Sequence, residues 1–268
     1  MESTCGRLAA MYFRPPAHIP QFAEVLYVPP FCQELDNSRA IAAMCFRKLA
    51  TSGVGVLSID LPGCGDSEGN FEDFSWGDWK SSVLAGFQWL RQNSRLPISL
   101  CGMRLGAALA LEVCGDYSLT PQQVVLLQPV ISGEEMMTQY LRARVAFTGL
   151  LDVSGQAVPG QRITVVALRQ RLMSGESLEV AGYLLRPDLV AAIDAVKLER
   201  LYPGPKIPIA WIENAPSRPA VDGWCERVGA AAIHRIAVKP FWSHTRGDPP
   251  EYESLAQSMV GIFSKIQP

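Results

Sequence analysis

Short apolar runs alternate with longer amphipathic stretches along most of this chain. Glu24–Val28 is strand-like, and Asn37–Thr51 follows with apolar positions three and four residues apart, which predicts a helix capped by Asp36 or Ser38. Val54–Ile59 is apolar throughout, as is typical of a strand buried on both faces. This alternation predicts an α/β fold with a mainly parallel sheet and helices on both faces. Further strands are predicted at Pro97–Cys101, Val124–Gln128, Ile207–Ile212 and Ala232–Val238, and further helices at Trp76–Arg91, Arg104–Cys114 and Tyr252–Ile266.

The alternation breaks between about residues 133 and 201. Helices are predicted there at Glu134–Thr148 and Pro187–Val196, and Gln161–Leu168 has strand-like character. Because this stretch separates two predicted core strands, we expect a cap insertion (133–201) in a core made of residues 1–132 and 202–268. A cap over an active site and a plain solvated excursion both fit the pattern.

Charge and cysteine usage exclude several classes of protein. The chain has 24 Lys plus Arg against 26 Asp plus Glu, without the basic excess of a nucleic-acid binder. It has no apolar stretch of about 18 residues and no apolar leader, so we expect no membrane span, no signal peptide and a cytoplasmic location.

The seven cysteines are scattered without a CxxC pair, which predicts free thiols and no metal site. The loop with Gly63 and Gly65 lacks the third glycine of a dinucleotide fingerprint, since Glu68 occupies that position, and we expect no cofactor.

The most informative segment is Gly102-Met103-Arg104-Leu105-Gly106, between a predicted buried strand and a helix of small residues. Its spacing matches the nucleophile elbow G-x-S-x-G, in which glycines permit a sharp strand-to-helix turn. Arg104 stands where the nucleophile would be. A guanidinium stays protonated in proteins and cannot attack a carbonyl, so the turn is predicted without its usual reagent.

The turn after the first buried strand occupies the usual position of an oxyanion-binding loop. Prolines 29 and 30 cannot donate an N–H group, so the donors would be Phe31 and Cys32, with Leu105 at the following helix N-terminus. The same residues also fit an ordinary turn, in which the prolines end the strand and no oxyanion is bound.

Two residues near the ends of late predicted strands occur in the order of the last two members of a catalytic triad, which is an acid followed by a histidine. Glu213 ends the predicted strand Ile207–Ile212, and His244 follows the last predicted strand. A lone loop histidine and a plain strand-end carboxylate are the alternative interpretations of these two positions.

The core resembles the α/β-hydrolase superfamily and, more narrowly, the exosortase A system-associated hydrolases of the second type. The segments that carry the resemblance run over about residues 10 to 260: Val28–Phe31, Glu34–Arg39, Ile59–Ser67, Gly102–Gly106, Leu127–Val130, Ser174–Leu184 and Phe241-Trp242. The resemblance implies an association with bacterial systems that sort PEP-CTERM proteins and make extracellular polysaccharide. It implies no defined substrate, and a triad does not carry over at Arg104.

Two hypotheses about function remain open at this point. In one, the chain is an ester or thioester hydrolase in which His244, oriented by Glu213, activates a water, and Arg104 binds an anionic substrate group. In the other, the chain does not catalyse and binds a small molecule, an acyl ligand or a protein partner of the exosortase or exopolysaccharide system. Arg104 is then an anion anchor or the ion-pair partner of Glu34 or Asp60.

Overall fold

The computed structural model describes residues 1–148, 163–201, 207–214, 218–229, 232–243 and 249–266. Its strands are β1 (Glu2–Ser3), β2 (Gly6–Arg7), β3 (Ala10–Phe13), β4 (Ala23–Val28), β5 (Val54–Ile59), β6 (Ile98–Met103), β7 (Val124–Leu127), β8 (Leu178–Val180), β9 (Tyr183–Leu185), β10 (Ile209–Glu213) and β11 (Ile233–Arg235). Its α-helices are α1 (Gln33–Thr51), α2 (Trp76–Asn93), α3 (Leu105–Asp116), α4 (Gly133–Thr148), α5 (Val165–Met173), α6 (Pro187–Asp194), α7 (Pro219–Arg227) and α8 (Glu253–Phe263).

Seven of these strands form the central sheet, in the order β11-β10-β7-β6-β4-β5-β3. All neighbours are parallel except β3, which pairs antiparallel with β5 at one edge. The prediction of a mainly parallel sheet is therefore confirmed. Strands β4, β6 and β7 are buried along their whole length, which explains why they are apolar runs rather than alternating ones.

Helices cover both faces of the sheet. On one face α2, α3 and α7 pack on alternate strand residues such as Leu26 and Leu100. On the other face α1 and α8 pack on the residues between them, including Val25 and Cys101. This follows from the two-residue period of side chains in a strand. Cys101 is fully buried in the second cluster, consistent with a small core residue.

Residues 133–201 lie between β7 and β10 in the chain and contribute α4, α5, the β8–β9 hairpin and α6. The hairpin turns at Ala181 and Gly182, which both have the positive φ that a two-residue hairpin turn favours. The Tyr183 hydroxyl donates to the Asp36 carboxylate on α1 at 3.3 Å, and its ring packs edge-on against Phe71. The insertion thus touches the core near the carboxyl edge of the sheet, and its action as a separate cap stays a prediction.

Two local predictions were wrong. The strand-like segment Gln161–Leu168 begins outside the described residues, and its part from Val165 onward belongs to α5, because the Thr164 side chain caps the helix and Leu168 and Leu172 are buried one turn apart. Helix α1 begins at Gln33, with Cys32 as the cap residue in place of Asp36 or Ser38, because the chain turns sharply straight after the prolines. Over the described part of the chain, none of the helices is both long and apolar enough to span a bilayer.

Candidate functional site

The turn between β6 and α3 has the sharp geometry that the glycine spacing predicts. Arg104 has φ 54° and ψ −118°, a conformation that is strained for a residue with a side chain. A Cβ at Gly102 would lie 2.4 Å from the Gly106 carbonyl oxygen, and one at Gly106 would lie 2.3 Å from the Pro29 carbonyl oxygen. Only glycine fits at either position, so the two glycines set the shape of the elbow.

Three groups hold the Arg104 side chain. Its Nε and Nη2 are both 3.0 Å from Glu34 Oε1, and Nη1 donates to the Gln128 carbonyl oxygen at 3.3 Å. The guanidinium carbon lies 5.2 Å from the centre of the Trp242 ring, within the range of a cation–π contact. The ion-pair partner of Arg104 is therefore Glu34. Asp60, the other candidate, pairs instead with Arg39 at 3.2 Å.

Glu34 lies in the first turn of α1, and its two oxygens differ. Oε1 receives both N–H groups of Arg104, while Oε2 is buried and has no hydrogen-bond partner among the described residues. Burial raises the pKa of the Glu34 carboxyl, and the Arg104 charge counteracts part of that rise. The pair is thus only half satisfied on the carboxylate side.

The turn after β4 repeats the strained geometry of the elbow. Cys32 has φ 47° and ψ −125° and precedes α1 as Arg104 precedes α3. Within the described parts of the chain, the backbone N–H groups of Phe31, Cys32 and Leu105 have no acceptor. Burial raises the pKa of the Cys32 thiol well above its ordinary value, so it is a neutral thiol rather than a nucleophile.

An apolar pocket lies against both turns. The space in it that is open to the centre of a water-sized sphere is about 10 Å³, which is room for about one water molecule. Its lining includes Phe31, Cys32, Leu35, Trp79, Leu105 and Leu109. Tyr140, from the inserted segment, packs edge-on against Phe31 with ring centres 5.3 Å apart. The three expected oxyanion-loop residues therefore border a site of apolar character.

Glu213 lies at the end of β10 and is 1% exposed. Its Oε2 accepts from Trp211 Nε1 at 3.1 Å and from Arg218 Nη2 at 2.9 Å, and its Oε1 lies 3.6 Å from Arg235 Nε. Oε2 thus accepts from an indole and a guanidinium, while Oε1 is buried and has no hydrogen-bond partner among the described residues. Its proposed pairing with a histidine rests on sequence position alone.

His244 lies outside the described residues, but the residues just before it are placed. The Trp242 ring lies over Arg104, and Asn37 Nδ2 on α1 donates to the Trp242 carbonyl oxygen at 3.0 Å. The chain therefore reaches the elbow two residues before position 244.

No group of side chains with metal-binding arrangement occurs among the residues that the structure describes. All seven cysteines are free. The loop that begins at Asp60 is held by internal contacts, since Asp60 accepts from Arg39 and from the Asp66 N–H at 3.0 Å. Its role here is to shape the turn after β5.

Sequence reasoning did not identify several neighbours of the site. Four of these neighbours come from separate elements, and no local spacing in the sequence marks them. They are Gln128, which also has a positive φ, Tyr140, Arg218 and Arg235. Trp242 is different, because the Phe241-Trp242 pair is one of the segments that carry the family resemblance, and this marks the residue in the sequence.

The profile of the alpha/beta hydrolase family matches residues 36–263. The chain belongs to that family. Among curated proteins, the mitochondrial palmitoyl-protein thioesterase ABHD10 of Bos taurus is 24% identical over 132 residues, 49% of this chain and 40% of that protein. The Mus musculus form is 22% identical over 164 residues, 58% of this chain and 52% of that protein. The match spans about half the length of these relatives.

Solved structures show the same fold at low identity. Est1E from Butyrivibrio proteoclasticus with bound ferulic acid has a TM-score of 0.64 and 15% identity, over 96% of this chain and 94% of that one. A soluble variant of monoglyceride lipase from Saccharomyces cerevisiae has a TM-score of 0.61 and 11% identity, over 97% and 92%. Mouse alpha/beta hydrolase domain-containing protein 10 has a TM-score of 0.56 and 14% identity, over 97% and 95%. At these identities the likeness establishes the fold.

Proposed function

We propose that this chain uses the α/β-hydrolase fold to bind an acyl or other anionic small molecule at the elbow without cleaving it. The observation that carries the proposal is Arg104, which occupies the nucleophile position and is ion-paired with Glu34. Covalent catalysis at this position needs a group that can lose a proton and attack, and a guanidinium does neither.

The state of Glu213 supports the same proposal. In a triad the acid orients and stabilises a histidine, which requires its oxygens to be available to the imidazole. Here Oε2 already accepts from Trp211 and Arg218, while Oε1 has no hydrogen-bond partner among the described residues and lies 3.6 Å from Arg235 Nε. A histidine would therefore have to bind at Oε1, where the positive charge of the neighbouring arginines disfavours the imidazolium that a triad forms.

The apolar lining of the pocket favours an acyl chain over a polar group, and the proposal requires the lining side chains to move apart to admit it. Apolar pockets with a few polar groups are the usual form of small-molecule sites, and this one lies between the Cys32 turn and the Arg104 turn. Relatives that match half their length are named palmitoyl-protein thioesterases, which act on acyl groups by name. In the proposal, residues 133–201 form a cap over this pocket, supported by the contact between Tyr140 and Phe31.

The setting that we propose comes from the resemblance to the exosortase A system-associated hydrolases. The chain would act in the bacterial cytoplasm, in a system that sorts PEP-CTERM proteins and makes exopolysaccharide, where it could bind a protein of that system as well as a small molecule. This part is tested by asking whether proteins of such a system co-purify with the chain, with the Met173→Glu variant as a surface control. Recovery of no such protein would contradict it.

Binding is tested by titrating the chain with hexadecanoate while tryptophan fluorescence is followed, since Trp76 and Trp79 line the pocket. We expect saturable binding that weakens at least about tenfold in Leu109→Phe, because the larger side chain fills the pocket. Met173→Phe, which makes a comparable change at an 87% exposed position, should leave the affinity unchanged. A lack of saturable binding by the wild-type chain would contradict the proposal.

A second candidate is hydrolysis of an ester or thioester by a water that His244 activates and Glu213 orients. The observation in its favour is the contact of Trp242 with Arg104, which brings the chain to the elbow just before position 244. This candidate would be favoured if the wild-type chain hydrolyses p-nitrophenyl esters and His244→Ala does not. The rate should also decline when the pH is lowered below the ordinary pKa of a histidine. Absence of turnover would leave binding as the function.

A further inference from the structure

We infer that Tyr12, Gln21 and Glu24 form a clasp that fastens the edge strand β3 to the sheet while Glu24 holds a proton, so that this edge loosens as the pH rises. The clasp lies at the amino end of β4, away from the elbow at the carboxyl end of β6. The inference is therefore independent of what the elbow binds. Its starting point is a buried carboxyl group whose hydrogen-bond partners are neutral.

Glu24 differs from the other acidic side chains that are buried as deeply in the described residues. Glu24, Asp60 and Glu213 are 3%, 7% and 1% exposed. A guanidinium lies 3.2 Å from the Asp60 carboxylate, and another lies 2.9 Å from that of Glu213. Glu24 has instead a phenol and an amide beside it, and the described basic side chain whose charge reaches it, that of Arg14, is exposed. A buried carboxylate without a cation beside it is costly, so such a group keeps its proton to a higher pH.

The contacts of the Tyr12 hydroxyl fit a protonated carboxyl group. The Tyr12 oxygen lies 3.0 Å from Glu24 Oε1 and 2.9 Å from Glu24 Oε2, and it accepts from Gln21 Nε2 at 2.9 Å. A phenol has one hydrogen, so it donates fully to one of the two carboxyl oxygens. The second contact becomes a full hydrogen bond when the other oxygen carries a proton and donates it to Tyr12. Loss of this proton removes that bond and leaves a negative charge in the interior.

Gly55 on β5 leaves the space that the clasp occupies. Strand β5 lies between β4 and β3, and Gly55 is directly opposite Glu24 in the register. A Cβ at Gly55 would lie 2.3 Å from Glu24 Oε2, 2.3 Å from the Tyr12 hydroxyl oxygen and 2.4 Å from Gln21 Nε2. The clasp therefore reaches across β5 and joins the inner strand β4 to β3, a four-residue strand at the edge of the sheet.

The other groups around Glu24 keep their charge state near neutral pH. Those that face it come from β3, β5, β6, the end of α2 and the segment before β4, and they are Tyr12, Arg14, Gly55, Ile98, Ser94 and Gln21. Burial raises the pKa of Tyr12 to about 12, so its hydroxyl stays neutral, and Arg14 stays protonated. A change in the clasp near neutral pH therefore belongs to Glu24.

The direction of the pH dependence follows from the shift. Burial raises the pKa of the Glu24 carboxyl, and hydrogen bonds from neighbouring side chains counteract part of that rise. A group whose pKa is raised by folding adds stability below its unfolded-state pKa, and this stability is lost as the pH rises through the folded-state pKa. The clasp should therefore hold in mild acid and loosen in mild base.

The proton is tested by nuclear magnetic resonance of the chain labelled with 13C at the glutamate carboxyl carbon, titrated from about pH 4 to about pH 9. The Glu24 signal is the one that disappears in Glu24→Gln. We expect its midpoint to lie above the midpoints of the exposed glutamates. A midpoint at or below theirs would overturn the inference.

The clasp is tested by hydrogen exchange of the β3 amides that bond to β5, corrected for the intrinsic exchange rate at each pH. In the wild type, their protection should fall several-fold from about pH 5 to about pH 8. Glu24→Gln should keep its protection at both, because the amide is neutral and can both donate to Tyr12 and accept from it. Glu253→Gln, in the exposed pair with Lys48, is the matched control and should follow the wild type. Wild-type protection that does not change with pH, or an equal fall in Glu24→Gln, would contradict the clasp.

Tyr12→Phe keeps the inference testable if Glu24→Gln does not fold. It removes the hydroxyl that bonds to Glu24 and accepts from Gln21, so β3 protection at about pH 5 should drop several-fold below the wild type. It also displaces the Glu24 carboxyl signal and so assigns it. Protection of β3 equal to that of the wild type would show that the edge strand does not depend on these contacts.

Discussion

Two glutamates near the carboxyl edge of the sheet, Glu34 and Glu213, are both held by arginine, but they differ in exposure and in the number of guanidinium groups beside them. Glu213 is 1% exposed, its Oε2 accepts from the Trp211 indole and from Arg218, and its Oε1 lies 3.6 Å from Arg235 Nε. Glu34 has one guanidinium, that of Arg104, on its Oε1, and its side chain is 20% exposed. In both carboxylates one oxygen is buried without a hydrogen-bond partner among the described residues.

The difference bears on how readily another molecule can reach each carboxyl group. Glu213 is almost fully buried and lies beside two guanidinium groups, whereas the Glu34 side chain is partly exposed and lies beside one. We therefore expect changes at Glu213 to act mainly on stability, and changes at Glu34 to cost less.

The shape of the elbow depends on Gly102. A Cβ there would lie 2.4 Å from the Gly106 carbonyl oxygen and 2.5 Å from the Ala107 Cα, both backbone atoms that cannot move aside. We expect Gly102→Ala to destabilise the chain by about 3 kcal/mol or more, measured by urea unfolding. Gly261→Ala, in α8 with no described atom within 4 Å of the added Cβ, should stabilise it by about 0.5–1 kcal/mol. Equal stability of the two variants would contradict the tight turn.

The buried carboxylate of Glu213 should matter for stability. Glu213→Ala removes the acceptor of the buried Trp211 indole N–H and of Arg218, and we expect a loss of about 2–3 kcal/mol. Arg218 and Arg235 are partly exposed and can be hydrated, which limits the loss. Glu253→Ala, in an exposed pair, should cost much less than Glu213→Ala when both are measured by thermal unfolding. If both variants lose the same amount, Glu213 is not a structural anchor.

Arg104 should be dispensable for the fold. Gly102 and Gly106 set the elbow, so we expect Arg104→Ser to fold, with a loss of about 1–2 kcal/mol because Glu34 loses its donors. Adding Glu34→Gln should recover part of that loss, giving a non-additive double-mutant cycle by urea unfolding. Loss of folded protein in Arg104→Ser, or strict additivity in the cycle, would count against this assignment.

Glu34→Gln should change the stability least, by below about 1 kcal/mol, and its effect should depend on pH. Burial raises the pKa of Glu34, so the folded chain holds a proton that the unfolded chain has released. This contribution to stability is present below the ordinary carboxyl pKa and is lost as the pH rises through the folded pKa. The free energy of unfolding of the wild type relative to Glu34→Gln should therefore fall as the pH rises above the ordinary carboxyl pKa. A difference that is constant or rises with pH would refute this interpretation.

The sequence predicted the sheet and the elbow because both leave local marks. Val54–Ile59 is apolar throughout since it is buried, and the spacing of Gly102 and Gly106 reflects backbone atoms that nearly touch. Glu34 could be named as a partner of Arg104 because it follows the neighbouring strand, though its spacing did not decide between it and Asp60.

What the sequence did not predict depends on contacts between distant segments. The β-branched start of α5 was interpreted as a strand, but Leu168 and Leu172 pack into the core one helical turn apart. The unpartnered Glu34 Oε2 and the two arginines at Glu213 follow from how separate elements meet. No local pattern records such an arrangement.

The most direct test of the account follows the fate of a hexadecanoyl thioester mixed in equimolar amount with the wild-type chain. Native mass spectrometry would report the bound species, and a thiol reagent would report cleavage. The account predicts a complex with the intact thioester and no release of thiol above the rate in buffer. Steady release of thiol by the wild type that disappears in His244→Ala would contradict it and identify a hydrolase.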